Sequence, residues 1–189
     1  MMYFQGNRSI RIVLIFLASF WLQSNSWAQD YYRTAEGKIH FKSDAPLELI
    51  EASSKELRGI INPKDHTFAF VIKIRTFQGF NSPLQREHFN ENYMESLKYP
   101  EATFSGRIIE NTDLSNPGTY TIRAKGKLNI HGVEQERIIK SEVVSGEGGL
   151  ELSSTFTILL EEHNISIPKI VYQKIAEEIE VQIHATLLK

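Results

Sequence analysis

Residues 120–133, YTIRAKGKLNIHGV, decide the fold. Tyr120, Ile122, Ala124, Gly126, Leu128 and Ile130 fall on one side of an extended chain, and Thr121, Arg123, Lys125, Lys127 and Asn129 on the other. Successive strand side chains point to opposite faces, so the stretch reads as a strand with one face on apolar material and one in water. A helix would scatter both sets around its axis. Such a strand needs neighbours of the same alternation on both edges.

Working outward, the chain supplies them. Tyr31 to Lys42 is a first strand, stopped at Ser43-Asp44-Ala45-Pro46. Leu47 to Ala52 and Leu57 to Ile61 read as two shorter strands around Ser53-Ser54-Lys55. After the Asn62-Pro63-Lys64-Asp65 turn, Thr67 to Thr76 sets Phe68, Phe70, Ile72 and Ile74 on one face. Ser82-Pro83-Leu84-Gln85 is a capping box, and Phe89, Tyr93 and Leu97 then recur every four residues, which predicts an amphipathic helix of about three turns. Pro100 ends it and Glu101 to Ile109 is the next strand. Beyond the opening stretch, Glu134 to Val144, Leu150 to Leu160 and Ile179 to Leu187 alternate likewise, with a second short helix over Ile167 to Ile175. The total is about eight or nine strands with tight turns and no βαβ spacing, hence an antiparallel sheet. Long one-faced strands remove their exposed edges by closing into a barrel, with a sandwich as the alternative.

Composition bounds the function. The 189 residues suit one domain, the net charge of −2 has no basic run, and a nucleic-acid surface is not expected. No cysteine is present, which excludes disulfides, thiolate metal sites and a cysteine nucleophile. Residues 1–28 differ from the rest: Arg8 and Arg11 precede an apolar run from Ile12 to Leu22, followed by Ser26-Trp27-Ala28. This predicts a secretory signal cleaved after Ala28 and a periplasmic or secreted domain over residues 29–189, whose net charge is −4 once Arg8 and Arg11 are removed. Tyr3-Phe4-Gln5-Gly6 resembles the remnant of a cleavable tag.

The inner faces collect Phe41, Phe68, Phe70, Ile72, Phe104, Tyr120, Ile122, Ala124, Leu128, Leu152, Phe156, Ile158, Val181 and Ile183. Any one of these serves as core. Together with the small residues Ala102, Ala124, Gly126, Ser154 and Ala185, which would leave a barrel unfilled, they form the candidate wall of an apolar ligand site. Catalytic signals are sparse: there is no G-x-S-x-G elbow, no H-E-x-x-H and no phosphate-binding glycine loop. His88 with Glu91 and Glu95 on one helix face could hold a metal, but a solvated face with an intrahelical ion pair explains them as well. His131 reads as a turn residue. No metal and no cofactor is expected.

Two segments carry a family resemblance. Lys98-Tyr99-Pro100-Glu101-Ala102-Thr103-Phe104, preceded by Arg86, His88 and a helix, and Gly126-Lys127-Leu128-Asn129-Ile130-His131-Gly132-Val133 look like the YceI-like family in order and spacing. The resemblance implies a lipocalin-like antiparallel β-barrel, exported to the periplasm, that holds a long polyisoprenoid-type lipid as a non-enzymatic carrier. Two other functions stay open on the residues alone. One is an envelope stress or interaction protein with a filled core, acting through the surface of the Pro83 to Leu97 helix. The other is a metal-dependent enzyme using His88, Glu91 and His131 at one barrel end.

Overall fold

The computed structural model describes residues 31–189. The signal segment and the tag-like residues 3–6 lie outside them. Eight strands form a closed barrel: β1 (Tyr32–Asp44), β2 (Leu49–Asn62), β3 (Thr67–Lys73), β4 (Glu101–Ile108), β5 (Gly118–Ile130), β6 (Val133–Gly146), β7 (Gly149–Leu159) and β8 (Glu178–Leu187). Each pairs antiparallel with the next, and β8 returns to β1 through Lys38–Lys42 against Glu180–His184. The expected antiparallel barrel of about eight or nine strands is thus found, with eight. The ninth in the upper count came from reading β2 as two strands. Ser53-Ser54-Lys55 is not a break but an irregularity inside one continuous strand, where the register against β1 shifts on either side of Gly37. The shift moves the buried positions of β2 from Ala52 and Ser54 to Leu57 and Ile61, as an inserted residue does in a β-bulge.

The opening stretch behaves as its alternation requires. Ile122, Ala124, Gly126, Leu128 and Ile130 are buried between exposed Arg123, Lys125 and Lys127. β5 pairs with β6 over thirteen consecutive positions, from Gly118↔Ser145 to Ile130↔Val133. Between them His131 and Gly132 both take positive φ, 53° and 74°, the backbone that a two-residue hairpin turn needs to match the strand twist.

The helical elements are shorter than predicted. Ser82 Oγ accepts from the backbone N–H of Gln85, and Gln85 Oε1 accepts from that of Asn81, so α1 (Pro83–His88) starts at the capping box. It then runs into a single π turn, Phe89–Tyr93, closed by Met94 N–H on Phe89 O at 2.9 Å. Glu95 turns to φ 42°, which ends the spiral before Leu97. The second expected helix is one 3-10 turn, Lys169–Val171.

The up-and-down order sorts the connections. One barrel end carries the links 63–66, 109–117 and 147–148; the other carries 45–48, 74–100, 131–132 and 160–177. The first end is packed shut. Leu114 folds inward from its loop onto Ile61, Val143, Leu150 and Leu187, which are all buried to 2 % exposure or less. Ser145 Oγ donates to Leu114 O at 2.7 Å. Glu110 on the same loop accepts from the Arg123 backbone N–H at 2.6 Å and from its guanidinium at 2.7 Å. Those bonds hold the Glu110 carboxyl below the usual carboxylate range.

Candidate functional site

The other end is hollow. A cavity of about 540 Å³ runs from a floor of Ile61, Phe68, Ile108 and Ile122 up to the long connections. Sites for one small ligand span roughly 300–1,000 Å³. Thirteen of the fourteen residues assigned to the wall from the alternation line it: Phe41, Phe68, Phe70, Ile72, Phe104, Ile122, Ala124, Leu128, Leu152, Phe156, Ile158, Val181 and Ile183. Tyr120 does not. It packs against the closed-end core, and its hydroxyl donates to Asn116 O at 3.0 Å.

The small residues divide by cause. Ala102, Ala124 and Ser154 face the cavity, whereas Gly126 and Ala185 do not. Gly126 is opposite Gly106, and a Cβ on it would stand 2.3 Å from Ser105 O, so glycine here permits close approach of β4 and β5 rather than leaving space for a ligand. Ala185 belongs to the closed-end core, against Gly37, where a Cβ would meet the Ala185 Cβ at 3.1 Å. The polar groups deep in the cavity satisfy one another: Ser141 Oγ donates to Ser154 Oγ at 3.2 Å, and Ser154 Oγ to Lys140 O at 3.0 Å. The remaining polar lining, including Ser43, Glu48, Ser82, Gln85, His88 and Lys174, sits at the mouth.

Aromatic rings from the 74–100 connection gather over the cavity. Phe41 stacks on Phe89 with centroids 5.4 Å apart and planes at 17°, and Phe77 and Phe80 close the cluster at 5.4 and 6.0 Å from Phe41. Such contacts add about 0.5–1.5 kcal/mol per pair beyond burial. The path that delivers these rings is pinned to β2, with Ser53 and Gln78 exchanging backbone bonds at 2.8 and 2.9 Å and Asn81 Nδ2 donating to Leu49 O. Phe77 and Phe80 escaped the alternation because they lie outside any strand. The only trace they left is the crowding of three phenylalanines between 77 and 89 in a stretch that breaks the strand pattern.

Beside the mouth, the two resemblance segments meet. Tyr99 packs edge-on against His131 at 4.6 Å, and a Cβ on Gly132 would strike its ring at 2.4 Å. His131 Nδ1–H donates to His163 O at 3.1 Å, and Nε2 is hydrogen-bonded to Glu95 Oε2 at 2.8 Å. His163 is fully buried, and its Nδ1–H donates to Val133 O. Burial lowers its pKa below the ordinary imidazole value. His131 is therefore a clasp between the hairpin turn, the π-turn segment and the 160–163 turn. Exposed His88 lies at the cavity mouth instead, and among the described residues no three His, Asp or Glu side chains gather to hold a metal.

A closed antiparallel barrel, packed at one end and opening at the other into an apolar cavity of single-ligand size, defines a barrel of the lipocalin-like ligand-binding architecture. Residues 31–187 match the family profile described as YceI-like domain, and the chain belongs to that family. Among solved structures, a polyisoprenoid binding domain from Saccharophagus degradans, implicated in plant cell wall breakdown, superposes with TM-score 0.73 at 13% identity. That match covers 84% of this chain and 97% of the other. BcnA of Burkholderia cenocepacia gives TM-score 0.65 at 17% identity over 82% and 97% of the two chains. The Campylobacter jejuni YCEI protein gives 0.56 at 18% over 72% and 83%. At these identities the likeness establishes the fold. No curated protein sequence matches the chain.

Proposed function

We propose that the protein is a non-enzymatic carrier for one long apolar lipid of polyisoprenoid type, held in the barrel with its head at the mouth. The observation that carries this reading is the cavity itself: about 540 Å³, walled by apolar strand residues, with its deep serines bonded to each other and its remaining polar lining at the rim. Each buried CH2 contributes about 0.8 kcal/mol, so a prenyl chain gains affinity along its length without a charged anchor. Membership of a family with a polyisoprenoid-binding structural neighbour supports the same ligand class. A leader over residues 1–28 would deliver the barrel to the periplasm or the exterior.

The test is organic extraction of purified protein followed by mass spectrometry, with native mass spectrometry of the stripped protein against a polyprenol and a straight-chain fatty acid of equal carbon number. A one-to-one polyprenol complex that outcompetes the fatty acid is expected. Absence of any bound apolar chain in both experiments overturns the proposal.

A further inference from the structure

Among the described residues, the five most exposed large apolar side chains all project from connections at the open end: Ile170 at 91%, Leu97 at 82%, Leu47 at 67%, Tyr172 at 64% and Leu84 at 58%. The highest values elsewhere, Ile138 at 57% on the barrel wall and Leu188 at 56% at the closed end, fall below all five. Single exposed apolar residues are ordinary on a protein surface, but clustering on one face marks an interaction site.

The cluster is tied to the cavity mouth. Leu47 N–H donates to Gln173 O at 2.8 Å, and Gln85 Nε2 to Glu48 Oε1 at 2.9 Å, so the 45–48 link, the 169–174 segment and α1 form one continuous rim. Leu84, Val171 and Ile175 on that rim also line the cavity, giving an unbroken apolar path from outside to inside. The segment Lys169-Ile170-Val171-Tyr172-Gln173-Lys174 carries two exposed lysines and no carboxylate, and the rest of that rim adds exposed Arg86 against Glu87 and the half-buried Glu48.

We propose that the open end docks on the surface of a bilayer containing anionic lipid, with Leu47, Ile170 and Tyr172 inserted among the headgroups and Lys169 and Lys174 against the phosphates. Three features select a membrane as the occupant. Apolar side chains flanked by lysines match the interfacial layer, where tyrosine is also favoured. The lysines complement anionic headgroups. The apolar path leads into a cavity whose proposed occupant dissolves in a bilayer and not in water, and for this last feature the inference rests on the carrier reading above.

The test separates the two proposals. Sedimentation with vesicles of three parts phosphatidylcholine to one part phosphatidylglycerol measures docking, and binding of a detergent-dispersed fluorescent polyprenol measures the cavity. The L47Q/I170Q/Y172Q variant changes exposed side chains that do not line the cavity. Expected are a loss of vesicle affinity of about tenfold or more, slower polyprenol transfer out of vesicles, and detergent-phase affinity within about twofold of the unmodified protein. Weaker sedimentation with phosphatidylcholine alone supports the lysine contribution. Failure of the unmodified protein to sediment, or equal vesicle affinity of the variant, overturns membrane docking and points to a protein partner for the rim. Loss of polyprenol binding in detergent with vesicle sedimentation intact overturns the carrier reading and leaves docking standing.

Discussion

The two ends of this barrel are made from the same eight strands with the same alternation, yet one is packed shut and the other encloses a cavity. The strands do not make the difference; the connections do. At the closed end a nine-residue loop, 109–117, drops Leu114 into the barrel and is fastened through Ser145 and Arg123. At the open end the long 74–100 connection brings Phe77, Phe80 and Phe89 over the interior as a ceiling and leaves the space beneath unfilled. An inward-facing apolar residue is thus core or ligand wall according to its height along the barrel axis.

The largest expected effect tests that contrast directly. Leu114→Ala removes a side chain with close-packed neighbours on every side and should cost about 2–5 kcal/mol in urea unfolding. Ile183→Ala, whose side chain already borders the cavity, should cost about 1–2 kcal/mol, since burial is lost but no new void is created in packed material. Equal losses would mean that the cavity is not empty in the folded protein, and the contrast between the ends would break.

A smaller effect sharpens it. Ala102→Phe adds a ring where there is room, so stability should change by less than about 1 kcal/mol while polyprenol affinity falls about tenfold or more. A large stability loss with affinity unchanged would place Ala102 in packed core.

The smallest is a pH dependence confined to the open end. His163 is buried there with its pKa lowered, so between that value and the unfolded value of about 6.5 the unfolded chain binds more protons than the folded one. Stability therefore falls as pH drops through about 6.5, and the first segment to loosen should be the clasp around Val133 and residues 160–165. Amide exchange at about pH 7.5 and about pH 5.5, each referenced to the intrinsic rate at its own pH, should show protection lost there at the lower pH and little change in protection at Val143 and Leu150. Uniform loss of protection at both ends would remove His163 as the cause.

The barrel wall was legible in the sequence because period two is a local property of each strand, and it names the inward face without knowing the neighbours. Depth is not local. Tyr120 shares the parity of Leu128 but stands at the closed end, and nothing in alternation distinguishes the two heights. Ser53-Ser54-Lys55 reads as a turn because polar residues interrupt an apolar pattern; a bulge produces the same interruption while the strand continues. Phe89, Tyr93 and Leu97 have helical spacing, but the Glu95 bond to His131, made across 36 positions of sequence, accompanies a left-handed turn at Glu95 and leaves Leu97 outside. Gly126 read as vacancy because a missing side chain looks the same whether a ligand or another backbone takes its place.

The return of β8 to β1 also governs the order of assembly. Every other strand pair joins neighbours in sequence, but this one joins Lys38–Lys42 to Glu180–His184. Contacts of such long sequence separation carry the largest loop-closure cost and form late. During synthesis the first seven strands can only make an open sheet whose interior faces solvent, and the cavity comes into existence when the last strand arrives. Hydrogen exchange pulsed during refolding should show β5 and β6 protected before β1 and β8, with the ability to hold a lipid appearing only in that final step.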